Sequence, residues 1–513
     1  MNTLRRSRKL SALIGVLFFF AARCGAENLR VQVFHTNDIH GGLMAHPASF
    51  YKPDPHRLIG GAAALSSALK KLSEPGVPRL LLDPGDWFQG TPEGNFTKGR
   101  SMAEFFDLLG YDAVGVGNHE YDYGEAHLQD LVSQMKTPVT SANVLMTSGE
   151  RVPYLRPYVL TEKGGVKVGI FGLLTTAMPA LSFSRNFAGR TAADEIVYAR
   201  KAVAELKAAG AEVIILLSHV GYGELDKKPF QDDKAIAAAV PGIDLIVGGH
   251  SHSALENGFR EPVHGTLIVQ SGSGLSRVGR VVLEIDPKTH KVVRSEAGLR
   301  DLWVDEFGED PAVAAMVGKY HEEVGRTLDV VIGTSSVVLS RERFSESSMG
   351  DWMTDCERRY SKTQLAFQNS GGIRADISPG PVTLRSIFEA MPFDNAVVLL
   401  NLTGRQVREV LEHSISGDRG LLQASGLRLS YDASAPAGRR LKEVFVGDRP
   451  LRDEDVYSVT AADFVVGGGD GYSIFSQGTD KVFTPILVRD VLEWCVRNTS
   501  PLTAPVMGRV RKL

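Results

Sequence analysis

Short apolar runs alternate with helical patterns along most of the chain. Runs at 29–34, 79–82, 113–116, 166–173, 213–217, 245–247 and 267–269 have the length and residue types of strands buried on both faces. Between them, Met102, Phe105, Phe106 and Leu109 recur at helical spacing and stop at Gly110. Val197, Ala202 and Leu206 mark another helix over 192–209, closed by Gly210. This alternation predicts a mixed α/β (α+β) unit from Glu27 to about Trp303. Residues 309–329 then read as one amphipathic helix, with Val313, Met316, Val317, Tyr320 and Val324 on a face, placed to bridge two units. The pattern restarts with strands at 330–338, 365–368, 396–402, 427–431 and 457–461, and helices at 348–360, 405–414 and 487–496.

The first residues follow a different logic. Arg5, Arg6, Arg8 and Lys9 precede an apolar stretch at 10–22 that is too short to span a bilayer, and Cys24, Gly25 and Ala26 offer small residues for cleavage. This predicts a signal peptide at 1–26. Arg23 argues against lipidation of Cys24, and the basic segment PLTAPVMGRVRKL has no apolar tail to signal a lipid anchor. The expectation is an exported chain, periplasmic or secreted, without a stable membrane anchor and monomeric. The divisions read 1–26, 27–305, 306–329 (linker helix) and 330–513.

Composition narrows the classes. Lys plus Arg total 57 against 60 for Asp plus Glu, which leaves no basic excess for neutralising a nucleic-acid polymer. Three cysteines exclude a disulfide scaffold. With Cys24 removed, Cys356 and Cys495 are either paired or two separate buried thiols.

Candidate chemistry falls where the apolar runs end, the edge at which an α/β scaffold presents its site. There stand Asp38 and His40, Asp86, then Asn118, His119 and Asp122, then His219, and last His250 and His252. Singly, each is an ordinary rim histidine or turn residue. Asp38 and His40 are separated by one residue, as are His250 and His252, so on extended segments each pair points to one side. Oxygen and nitrogen donors without thiolates suit Zn, Mn, Fe or Co. The donors exceed what one catalytic ion with an open position uses, whereas two divalent metal ions about 3.5–4 Å apart, bridged by a carboxylate, use them well. Such a pair polarises a phosphoryl oxygen and makes hydroxide from a bridging water, so no serine or cysteine nucleophile is required. His119 is placed to stabilise a transferring phosphoryl group or protonate the leaving oxygen, and Asp122 to orient and charge that imidazole.

In this order, D-x-H, GDWFQGTP, GNHEYDYG, SHVG and GHSH resemble a calcineurin-like metallophosphoesterase domain. GNHE-x-D-x-G with the later NSGGIR and GGGDGY resembles the 5'-nucleotidase family in particular, over nearly the whole chain after residue 26. The resemblance implies a four-layer β-sandwich flanked by helices, a linker helix and a second mixed α/β substrate domain. It implies Asp38, His40, Asp86 and His252 at one metal, and Asp86, Asn118, His219 and His250 at the other, with Asp86 bridging. His119 and Asp122 become its catalytic dyad. His252 stands where some relatives carry Gln or Asn.

At the substrate end, the glycines of NSGGIR allow close approach of a ligand to the backbone, and Arg374 suits two parallel hydrogen bonds to a phosphate or carboxylate. Phe393 and Phe464 offer two aromatic faces for a base, each stack worth roughly 1–3 kcal/mol. Asp470, in a glycine-rich loop, suits ribose hydroxyls. The resemblance assigns the base clamp to Phe393 and Phe464, the ribose to Asp470, the cleft wall to Asn369, Gly372 and Arg374, and phosphate to Arg343. Ser345 stands where some relatives carry Arg. The expected function is a 5'-nucleotidase acting on nucleoside 5'-monophosphates. A UDP-sugar or NAD diphosphatase and a 2',3'-cyclic-nucleotide phosphodiesterase use the same metals. An inactive nucleotide-binding protein is disfavoured, because every expected ligand is present.

Overall fold

The computed structural model describes residues 28–48, 50–181, 186–223, 231–416 and 419–513, so the export segment expected at 1–26 lies outside the described residues. Two six-stranded sheets make up the first part of the chain. One runs, in spatial order, Val292–Asp301, Arg277–Ile285, Leu29–His35, Arg79–Asp83, Ala113–Gly115 and Val139–Thr140. The other runs Phe259–Arg260, Leu267–Val269, Leu245–Gly248, Val213–His219, Val166–Leu174 and Val159–Lys163.

The apolar runs are continuous because both strand faces are covered. Val31, Val33, Leu80 and Leu82 point between the sheets and meet Val168, Ile170, Ile215 and Leu217. The alternate residues Phe34 and Leu81 face a helical layer that includes Ala62–Leu72 and Arg100–Leu109. Ile214 and Leu216 face the helices Glu195–Ala208 and Asp233–Ala239. Helix, sheet, sheet and helix stack as four layers.

The helix Pro311–Leu328 starts where Asp310 accepts hydrogen bonds from the Ala312 and Val313 amides, with proline in its first turn. It is more than a bridge. Val313, Met316, Val317 and Tyr320 join the core beneath the first sheet, so most of the helix belongs to the outer layer of the sandwich. The helix expected over 192–209 spans Glu195–Ala208 and is opened by Asp194, which accepts from the Val197 amide. The strand read at 330–338 is confined to Val331–Ser335.

The C-terminal unit is built around a five-stranded sheet ordered Leu422–Ser425, Leu365–Asn369, Val456–Ala462, Ala396–Thr403 and Thr479–Leu487. On one face the helices Ser348–Ser361 and Val488–Thr499 are joined by a Cys356–Cys495 disulfide whose Cα atoms are 5.8 Å apart, resolving the two alternatives for these cysteines. Contacts cross from the sandwich to this unit: Asn95 Nδ2 donates to the Pro392 carbonyl at 2.7 Å, and Glu93 accepts from Arg385.

Glu357, on the Ser348–Ser361 helix, is wholly buried, and neither carboxyl oxygen has a hydrogen-bond partner among the described residues. Burial pushes it up to about 8 from the usual 4.5. The folded chain therefore keeps a proton that the unfolded chain releases above pH 4.5. That contribution to stability is complete below pH 4.5 and lost as pH rises through about 8. Glu357→Gln is expected to melt with the native protein near pH 4.5 and above it at pH 8.5. An equal difference at both pH values would contradict this reading.

Candidate active site

The Leu29–His35, Arg79–Asp83 and Ala113–Gly115 strands run parallel in one sheet, and Val213–His219 and Leu245–Gly248 run parallel in the other. The loops carrying the expected ligands leave these strand ends. They are not extended. Asp38, His40, Asp86, His250 and His252 have φ of 49°, 50°, 59°, 71° and 53°, in the left-handed region that side chains rarely adopt. Spacing by one residue therefore does not keep a pair together as it would on a strand. Asp38 and His40 share a cluster with His252, whereas His250 turns to a second cluster with Asp86 and His219.

Within each cluster the donor atoms lie within 4.8 Å of one another. Nδ1 of His40 donates to the Gln89 carbonyl at 2.6 Å, which leaves the Nε2 lone pair facing the site. That Nε2 lies 2.9 Å from His252 Nε2, which is 3.6 Å from Asp38 Oδ1. Asn118 Oδ1 is 3.1 Å from His250 Nδ1, adding an oxygen to the second cluster. Asp86 lies between the two: its Oδ2 is 3.1 Å from His219 Nε2 and 3.9 Å from His40 Nε2.

The donor chemistry fits divalent ions. Burial pushes His40 and His250 down to about 3, so both are neutral lone-pair donors. Burial also opposes charge on His219, but Asp86, Asp38 and Glu120 hold it up at about 9, a measure of the negative field in the pocket. Nδ1 of His219 has no hydrogen-bond partner among the described residues, an arrangement that a cation satisfies.

His119 stands beside these clusters. Its backbone amide donates to Asp86 Oδ1 at 3.0 Å, and its Nδ1 donates to Asp122 Oδ2 at 2.7 Å. Burial alone would lower the imidazole, yet Asp122 and then Asp86 raise it to about 9. Glu120, which no strand-end pattern singles out, fixes the loops: it accepts from the amides of Asp86, Trp87 and Gly117 at 2.9, 2.7 and 2.6 Å. Its place inside GNHE was the available signal.

The C-terminal unit closes over this edge. Asn369, Gly372, Arg374, Phe393, Phe464, Asp470 and Arg343 line one cleft together with His40, Asp86, Asn118, His119, Asp122, His250 and His252. Phe393 comes within 5.9 Å of the His119 ring and Arg374 lies 5.8 Å from the Phe393 ring. The Phe393 turn is held by Arg489, which donates to its carbonyl at 2.8 Å. Asp470, at φ 53°, accepts from Asn369 Nδ2 at 2.7 Å. A Cβ at Gly469 would overlap the Phe464 ring, so glycine there makes room for the aromatic. Burial, with Arg341 and Arg343, pushes Arg374 down to about 10. Ser345 is exposed and engaged through its carbonyl by Gln423 Nε2 at 2.9 Å. Arg419 lines the cleft without belonging to any motif.

Comparison with known proteins gives family matches over both parts of the chain. The calcineurin-like phosphoesterase pattern matches residues 31–254 and the pattern of the 5'-nucleotidase C-terminal domain matches residues 331–477. The chain is 30% identical to a snake venom 5'-nucleotidase of Gloydius brevicauda over 98% of this chain and 92% of that protein. It is 30% identical to the 5'-nucleotidase of Homo sapiens over 92% of this chain and 88% of that one. The crystal structure of a 5'-nucleotidase precursor from Thermus thermophilus superposes with a TM-score of 0.84, at 30% identity, covering 94% of this chain and 99% of that chain.

The clusters depend on a glycine. A Cβ at Gly117 would overlap Asp86 Oδ1 and the His219 ring, whereas Gly298 has open space around it. Gly117→Ala is expected to lower bound divalent metal well below the native content with the far-ultraviolet circular dichroism unchanged, and Gly298→Ala to retain it. Native metal content in Gly117→Ala would refute the clusters as a metal site.

Proposed function

Since this chain belongs to the 5'-nucleotidase family of calcineurin-like phosphoesterases, we propose that it hydrolyses nucleoside 5'-monophosphates to nucleoside and phosphate. One observation carries the reading: a single cleft is lined at one end by the two donor clusters and His119, and at the other by two phenylalanines and a buried carboxylate.

In this reading Asp38, His40 and His252 hold one divalent ion, Asn118, His219 and His250 hold the other, and Asp86 serves both. When bound, the ions supply Lewis-acid charge for phosphoryl oxygens and an acidified water. The chain's own residues do the rest. Arg343, Arg374 and Asn369 orient the phosphate, and Gly372 lets it approach the backbone. Phe393 and Phe464 hold the base between them, and Asp470 accepts from the ribose. His119, charged and aimed by Asp122, presents Nε2 to the ester and donates its proton toward the leaving oxygen. Bringing Phe393 against His119 excludes water from the bond to be broken.

Action outside the cytoplasm is part of the proposal. It is supported by the buried Cys356–Cys495 bond, which suits an oxidising compartment, and by the basic and apolar pattern of residues 1–26. Among the described residues no helix is long and apolar enough to cross a membrane.

A second reading rests on a further cavity of about 790 Å³ that shares His40, His252, Arg343 and Arg374 with the cleft. Room beyond the phosphate favours larger nucleotides such as UDP-sugars or NAD.

Phosphate release from AMP with Mn or Zn, abolished by chelator and compared with UDP-glucose, NAD and a cyclic nucleotide, tests the function. AMP is expected to give the highest kcat/KM, and absence of turnover with all four would overturn the proposal. His119→Ala is expected to lower kcat by about 10²–10⁴-fold with metal content unchanged. Loss of metal in that variant would make His119 a ligand instead.

A further inference from the structure

Arg419 carries no motif, yet its place in the fold is tightly specified. It lies between the Gly404–Ser414 helix and the Leu422–Ser425 strand, and it lines the cleft with His250, Arg374 and Asp470. The Leu421 amide donates to the Arg343 carbonyl at 2.7 Å. Gly420, at φ 107°, lets the two backbones approach: a Cβ there would stand 2.7 Å from the Arg343 carbonyl oxygen. Arg343 and Arg419 therefore leave neighbouring points of one wall.

Several other partly buried arginines of this unit pair with acids. Arg385 pairs with Glu93 and Asp329, Arg489 with Asp394, and Arg509 with Asp355. Among the described residues nothing hydrogen-bonds or ion-pairs with the Arg419 guanidinium. Asp470 and His250 both line the cleft with it. A nucleotide with its ribose at Asp470 and its phosphate at the donor clusters passes between those two points. A half-buried cation without a counterion favours an arriving anion.

We propose that Arg419 is a substrate-binding residue that grips the nucleotide phosphate, supplying with Arg343 and Arg374 a third guanidinium from outside the recognised motifs. This rests on the nucleotidase reading, and the two fail separately. The probes are inorganic phosphate and adenosine, titrated calorimetrically into the metal-loaded protein, with AMP turnover measured alongside. Arg419→Ala is expected to weaken phosphate binding and raise KM for AMP by about 10- to 100-fold, with a smaller change in kcat and adenosine affinity unchanged. Arg419→Lys is expected to recover part of both losses. Unchanged phosphate affinity in Arg419→Ala would overturn the proposal. So would equal losses for phosphate and adenosine, which would give Arg419 a structural role in its loop. If the native protein binds phosphate through Arg419 but does not hydrolyse AMP, the nucleotidase reading falls and the anion site stands.

Discussion

Asp86 is the point through which the candidate centre is held together. Its carboxylate faces His219 and His40 from opposite clusters and accepts the His119 amide, while its own amide is fixed by Glu120 and its carbonyl accepts from the His40 amide at 3.0 Å. Burial should raise such a carboxyl, but the imidazoles of His219, His119 and His40 hold it well below the usual range. A buried carboxylate with a second carboxylate beside it is costly unless cations complete the site. The left-handed conformations of five candidate ligands point the same way, since strain of this kind persists where surrounding structure enforces it.

The sandwich meets this requirement through topology. Parallel strands place their C-terminal ends at one edge, so two stacked sheets deliver ligands from loops far apart in sequence to adjoining clusters. The C-terminal unit then supplies what the sandwich lacks, aromatic faces and guanidinium groups. The contacts of Asn95 with Pro392 and of Glu93 with Arg385 hold the two across the cleft.

Much of this was legible in the sequence. The continuous apolar runs marked strands covered on both faces, and the ligands stood at their ends. What the pattern missed has physical reasons. In the Arg277–Ile285 and Val292–Asp301 hairpin, Val281, Leu283 and Ile285 point between the sheets while Arg280 and Glu284 interrupt the pattern, so its apolar run is short. The split of His250 from His252 follows from left-handed backbone, which residue spacing does not report. Glu120 and Arg419 act through amides and open space made by the fold, and neither has a spacing of its own to find.

Anomalous diffraction from crystals of the metal-loaded protein tests the central claim most directly. The account predicts two peaks flanking the Asp86 carboxylate, one among Asp38, His40 and His252, the other among Asn118, His219 and His250. A single peak, or metal bound away from Asp86, would contradict it.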